Sequence, residues 1–172
     1  TTVITTIIEE ENPATEKTLF YPQDVIKAED FVAYDIDGNE VKLSDCYGKP
    51  IVLNFWSTWC NHCKIELPLF EKAYKENPDI TFIMINITAA DDVKLVNDLL
   101  EKNGYTFTVW LDADADATAK YGVSSIPATY FIDKNGNIGT SCINGIVNKF
   151  PDHGSGPVYH FSCSNPGGCK FV

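Results

Sequence analysis

The sequence contains no arginine: all thirteen basic residues are lysine, against twenty-four acidic residues, for a formal net charge of −11. Without the planar guanidinium fork, and with that surplus of carboxylates, the chain is a poor ligand for phosphate backbones. This excludes sequence-independent nucleic-acid binding and makes an anionic membrane surface a poor partner. No stretch approaches the roughly 18 consecutive apolar residues that a membrane-spanning helix requires. Internal repeats are absent, and hydrophobic and charged contents of 44% and 22% exclude wholesale disorder. A length of 172 residues fits one domain with an appendage. Such a domain buries about 70% of its unfolded surface and needs no disulfide merely to fold.

What the chain does have is six cysteines, at positions 46, 60, 63, 142, 163 and 169. That is many for a reducing cytosol and few for a small disulfide-built scaffold. The chain also opens at Thr1 rather than at methionine. Together these features are read as a mature or trimmed bacterial product whose targeting segment has been removed. The expected location is extracytoplasmic, in a periplasm-like envelope space or tethered to the membrane.

Residues 1–22 carry Thr-rich and Glu-rich stretches with Pro13 and Pro22, and read as a leader or tether. Residues 23–147 form the expected main domain, and 148–172 an irregular tail in which Pro151, Gly154, Pro157, Pro166, Gly167 and Gly168 forbid a long helix. Within the domain, Phe31 to Asp35 and Glu40 to Leu43 flank Asp37-Gly38-Asn39 as a hairpin. The continuous apolar run Ile51 to Trp56 predicts a strand buried on both faces. Asn61 to Asn77 predicts a helix with Ile65, Leu69, Phe70 and Ala73 inward and a kink at Pro68. Further strands are expected at Ile80 to Ile87 and Phe107 to Leu111, and a hairpin turns at Asn135-Gly136. Helices are expected at Asp91 to Lys102, with Val93, Val96, Leu99 and Leu100 inward, and at Ala115 to Tyr121. Strands alternating with helices and closed by a hairpin predict an α/β fold with a mixed central sheet.

The chemistry concentrates at Trp59-Cys60-Asn61-His62-Cys63-Lys64, directly after the buried strand and at the start of the helix. Two cysteines at this spacing in a first helical turn can close a small disulfide. The first lies where free N–H groups and the helix dipole stabilise a thiolate. The thiolate is the species that attacks a disulfide, and the second cysteine then resolves the mixed disulfide. A structural zinc site would need a second such pair, and a c-type haem site would need histidine where Lys64 stands. A purely structural short disulfide is the remaining bland alternative. Redox chemistry therefore needs no cofactor beyond the disulfide itself.

On these residues the sequence resembles the thioredoxin superfamily, and within it the TlpA/ResA-like extracytoplasmic thiol–disulfide oxidoreductases. The likeness spans about Ala28 to Gly139. It rests on Asp30-Phe31, Leu43-Ser44-Asp45, Gly48-Lys49-Pro50, Asn54-Phe55-Trp56, the cysteine motif, Glu66-Leu67-Pro68, Tyr121-Gly122-Val123 and Ile126-Pro127-Ala128-Thr129. The resemblance implies a three-layer thioredoxin-like fold with an N-terminal hairpin extension. It makes Cys60 the attacking thiol, Cys63 the resolving one, and Pro127 a cis-proline shaping the substrate groove. Glu66, one helical turn after Cys63, would influence proton transfer, and Trp59 would pack beside the pair and cover it. Asn54 stands where cytosolic thioredoxins carry a buried aspartate, which leaves Glu66 as the candidate base. Histidine at position 62 matches the oxidase and isomerase branches rather than the reductants, which usually have proline there. An imidazolium at this point would favour the thiolate and make the disulfide a stronger oxidant, so the direction of electron flow stays open. The implied partners are thiols and disulfides of envelope or secreted proteins, apocytochromes among them, and an upstream electron-exchange partner.

The family pattern does not require the other four cysteines. Cys163 and Cys169, joined by Pro166-Gly167-Gly168, make the simplest local bridge, which leaves Cys46 for Cys142. His153, His160, Cys163 and Cys169 match no regular zinc template. Family members normally end in an amphipathic helix, and residues 145–172 show none. Two other functions compete: a thiol carrier for a soft metal such as Cu(I), and a peroxiredoxin-type peroxidase. The second would need a Pro-x-x-x-Thr-x-x-Cys run, but Ser57 stands three before Cys60. Asn86-Ile87-Thr88 matches a glycosylation sequon but falls in an expected buried strand.

Overall fold

In a computed structural model, residues 26–138, 143–145 and 147 are described, together with the backbone of 161–164 and 168–171. Along the chain come β1 (Ile26–Lys27), β2 (Val32–Asp35), β3 (Glu40–Lys42), β4 (Ile51–Trp56), α1 (Asn61–Glu76), β5 (Thr81–Asn86), α2 (Val93–Asn103), β6 (Thr108–Leu111) and α3 (Asp116–Lys120). They are followed by β7 (Ala128–Ile132), β8 (Asn137–Ile138), β9 (Ile143–Asn144), β10 (Phe161–Ser164) and β11 (Gly168–Phe171). The expected leader at 1–22 lies outside the described residues.

One mixed sheet runs in the order β1-β8-β7-β4-β5-β6-β2-β3, with β9 also paired to β7. β4, β5 and β6 are parallel, and β7 lies antiparallel to β4 with Phe55 opposite Ala128. All six residues of β4 are buried, as a central strand covered on both faces demands. Its side chains alternate between two cores. Val52 and Trp56 join Cys60, Cys63, Leu67, Phe70, Phe82, Met84 and Val96 on one side. Leu53 and Phe55 join Phe31, Ile83, Ile85, Trp110 and Ala117 on the other.

The helices differ from their sequence pattern in register. The inward face of α1 is Cys63, Glu66, Leu67, Phe70 and Ala73, while Ile65 is 59% exposed. An apolar count placed Ile65 inward because Glu66 scored as polar, yet the true stripe starts at Cys63 and takes the glutamate in. Pro68 does not end α1, which continues to Glu76. Pro68 and Lys64 are both exposed, so water can replace the donor that proline denies the Lys64 carbonyl. In α2, Val96 is buried but Val93 is 39% exposed. That helix starts at Asp92, whose side chain accepts from Lys94 N–H, and stops at Gly104 in the left-handed region at φ 65°. Asn86 of the sequon is fully buried in β5, where no glycan fits.

Candidate active site

β4 delivers the chain to a tight turn, in which Cys60 N–H donates to the Ser57 carbonyl at 3.3 Å, and Cys60 then caps α1. Its Sγ accepts from Cys63 N–H at 3.1 Å. Cys60 and Cys63 form a disulfide with Cα atoms 5.3 Å apart. Cys60 retains 7% exposure and Cys63 none. Of the pair, Cys60 is therefore the one nearer solvent, at the helix start where unpaired N–H groups favour negative charge.

Glu66 lies one turn beyond Cys63 and is fully buried. Asn54 Nδ2 donates to its Oε1 at 2.8 Å and to Thr129 Oγ1 at 3.0 Å. The Val147 N–H donates to its Oε2 at 2.8 Å. Burial pushes the carboxyl up to about 7, against the pull of the Val147 and Asn54 hydrogen bonds toward the ionised form. A carboxyl poised there exchanges a proton readily near neutral pH. Buried polar atoms without a hydrogen-bond partner gather along the same stretch of β4 and its exit: Asn54 Oδ1, Trp56 Nε1 and Ser57 Oγ.

The turn before Cys60 is held from outside. Thr58 donates both its N–H and its hydroxyl to the Asp91 carboxylate, and the Trp59 indole N–H donates to the Ala90 carbonyl at 2.9 Å. Asn86 Nδ2 braces the same carboxylate at 2.9 Å. Burial works against the Asp91 charge, but these donors outweigh it and hold the carboxyl below its usual range. Trp59 is 58% exposed, so it stands at the surface next to Cys60 rather than in the core.

The Ile126–Pro127 peptide bond is cis. Because Ala128 pairs with Phe55, Pro127 arrives at the end of the sheet from which β4 leads to the cysteines. Ile126 packs against the core that contains both of them. A buried redox pair at a helix start, a carboxyl beneath it and a cis-proline strand alongside form one constellation.

The AhpC/TSA family model matches residues 26–141 of this sequence. The chain belongs to the AhpC/TSA family. A thiol–disulfide oxidoreductase ResA of Geobacillus thermodenitrificans is 35% identical over 125 residues, 71% of this chain and 70% of that protein. The crystal structure of StoA from Bacillus subtilis superposes with a TM-score of 0.61 at 25% identity, covering 72% of this chain and 92% of that one. A secreted Mycobacterium tuberculosis disulfide oxidoreductase homologous to E. coli DsbE is 32% identical, with a TM-score of 0.59 over 66% of this chain and 82% of that one. This AhpC/TSA member is a thioredoxin-like thiol–disulfide oxidoreductase of the ResA type.

The fold brings Cys60, Cys63, Trp59, Glu66 and Pro127 to one end of the sheet. His62 is exposed on the first turn of α1, between the cysteines. Cys46 lies elsewhere, as a half-buried free thiol in a 3-10 turn, and burial followed by the Asp45 charge pushes it up. Cys142, His153 and His160 lie outside the described residues. The β10–β11 register sets the backbone of Cys163 opposite that of Cys169. A 410 Å³ cleft between α1 and α2, lined by Thr58, Lys64, Leu67, Leu99 and Tyr105 among others, opens on neither cysteine.

Asp91, Thr58, Ala90 and Val147 were not legible as site residues in the sequence. Asp91 reaches Thr58 across 33 positions, and Ala90 and Val147 contribute backbone groups that carry no side-chain signal.

Proposed function

We propose that the Cys60–Cys63 pair exchanges electrons with cysteine pairs of proteins outside the cytoplasm, with Cys60 as nucleophile, Cys63 as resolving thiol and Glu66 as proton acceptor. The observation that carries this reading is the asymmetry of the pair. Cys60 is the helix cap and keeps a small residue of exposure, and Cys63 is sealed one turn from a carboxyl poised near 7.

In the reducing direction, the Cys60 thiolate attacks one sulfur of a substrate disulfide and breaks that S–S bond. A mixed disulfide forms, and the departing substrate thiolate takes a proton from water. Cys63 then passes its proton to Glu66 and attacks the Cys60 sulfur, closing the Cys60–Cys63 disulfide. The second substrate sulfur leaves as a thiolate and is protonated in turn. Two electrons move from the cysteine pair to the substrate. The reverse order of the same steps oxidises a substrate dithiol. Trp59 and Ile126 offer the substrate an apolar surface, and the backbone of Ile126 is the group that would pair with an extended substrate segment.

The extracytoplasmic location is supported by the four further cysteines and by the likeness to a protein described as secreted. Among the described residues no helix is long and apolar enough to cross a membrane. We also propose a Cys163–Cys169 bridge, in keeping with their opposed backbone positions.

The test is trapping. Reduced Cys63→Ser protein mixed with a disulfide-bonded test protein is expected to accumulate a covalent adduct through Cys60, released by dithiothreitol, and Cys60→Ser to form none. An adduct through Cys63 or Cys46 would assign the nucleophile elsewhere.

A further inference from the structure

The segment 143–147 touches the site at two points that have no sequence signature. β9 pairs with the start of β7, Ile143 opposite Thr129 and Asn144 opposite Ala128. Gly145 N–H then donates to the Pro127 carbonyl at 2.9 Å. Two residues on, Val147 is 1% exposed within the core that holds both redox cysteines, and its N–H meets Glu66 Oε2 at 2.8 Å. One short stretch of backbone thus grips the cis-proline and the buried carboxylate together.

We propose that Val147 is a positioning residue of the redox site: its backbone N–H holds the ionised carboxylate of Glu66 beside Cys63, which makes Val147 part of the working site. The proposal rests on Glu66 being the proton acceptor in the exchange reaction. Its physical basis is the chemistry around the carboxylate. Among the described residues, Glu66 hydrogen-bonds to Asn54 on β4, which also reaches Thr129 on β7, and to Val147, and it shares the buried face of α1 with Cys63 and Phe70. None of these is charged in the oxidised protein, and only Cys63, once reduced, titrates. Among the described residues no cation supports this carboxylate, so hydrogen-bond donors must do so. Among the same residues two are present: the Asn54 amide on Oε1 and the Val147 N–H on Oε2. The Asn54 amide spends one N–H on Glu66 Oε1 and the other on Thr129 Oγ1, so each carboxylate oxygen has one donor and the one on Oε2 is the Val147 N–H. A hydrogen bond to a charged group contributes about 1.5–3 kcal/mol, which corresponds to roughly one to two pH units in the titration of its acceptor. The same bond ties Val147 to α1, so the protonation of Glu66 and the seating of Val147 are linked.

The experiment follows both ends of the contact in the full chain. In the wild-type protein, the Val147 amide proton is followed by NMR from pH 5 to 9. It is expected to shift with the titration of Glu66, and Glu66→Gln is expected to abolish that step. A Val147 amide shift that is flat through the Glu66 transition overturns the proposal. Val147→Pro, which deletes the N–H, should move the Glu66 midpoint upward by about one unit and carry the pH profile of disulfide exchange with it. Val147→Ala, which keeps the N–H, should leave both within a few tenths. Equal shifts in the two variants overturn the proposal by showing that side-chain packing is responsible. If Val147→Pro fails to fold, the wild-type amide titration still decides. An exchange profile unchanged in Glu66→Gln would instead overturn the role of Glu66 itself, a failure distinct from a missing contact.

Discussion

Asp91 takes two hydrogen bonds from Thr58, one from its N–H at 2.6 Å and one from its hydroxyl, although 33 residues separate them. Thr58 begins the turn that carries Trp59 and Cys60, so this pair fixes the approach to the redox cysteines from the loop after β5. With Trp59 tied to the Ala90 carbonyl, the 88–92 loop and the 57–60 turn are held together by three hydrogen bonds.

That coupling is measurable. Thr58→Val removes the hydroxyl and Asp91→Ala removes the acceptor of both bonds. The two substitutions should be non-additive by about 1–2 kcal/mol in a double-mutant cycle of urea denaturation. Asp91→Ala alone should also slow disulfide exchange and alter the fluorescence of Trp59. Strict additivity would show that the contact contributes nothing.

Glu66 makes stability fall as pH rises. Its folded value near 7 lies above the ordinary 4.5, so between these pH values the folded protein holds a proton that the unfolded chain has released. Stability contributed by the protonated form is complete below about pH 4.5 and lost as pH passes through 7. The loss is about 3 kcal/mol in all, at 1.36 kcal/mol per unit. Glu66→Gln has no such titration. Its stability relative to wild type, from melts of the oxidised proteins, should rise between pH 5 and pH 8, and a constant difference would sink the argument.

His62 sits exposed between the cysteines. An imidazolium there favours the Cys60 thiolate and hence the reduced pair. His62→Pro is therefore expected to lower the reduction potential, measured against glutathione. A wild-type value near −270 mV would mark a reductant, and one of about −120 to −180 mV an oxidase or isomerase. An unchanged potential in the variant would remove His62 from the tuning of the pair.

A second carboxylate works in the opposite sense from Glu66. Glu71 accepts from Thr106 N–H and hydroxyl, from Phe107 N–H and from Lys75. Burial alone would raise it, but these donors outweigh burial and hold it below the usual range. It therefore stabilises the fold above the unfolded value, and that stability is lost as pH falls through the lower folded value. Glu71→Ala should cost about 2 kcal/mol at pH 7 and progressively less as pH falls through the lowered folded value, by chemical denaturation. Equal losses above and below that value would assign the effect to packing.

The redox pair and its setting were determined by the sequence alone. A six-residue apolar run, then two cysteines three apart at a helix start, leaves little choice of chemistry, because strand, turn and helix are all local and their periodicity is written in adjacent residues. The β2–β3 hairpin was legible for the same reason, and the cis-proline position only through the family resemblance. The tertiary structure alone decided how Glu66 works. A glutamate in an exposed-looking helix pattern becomes a buried acid near neutrality only because β4, β7 and segment 143–147 close over it. It likewise put Trp59 at the surface and Ile65 outside the core, and joined Asp91 to Thr58. Those outcomes depend on which groups lose water when distant segments meet, and on backbone N–H groups that every residue but proline carries, so no residue pattern announces them.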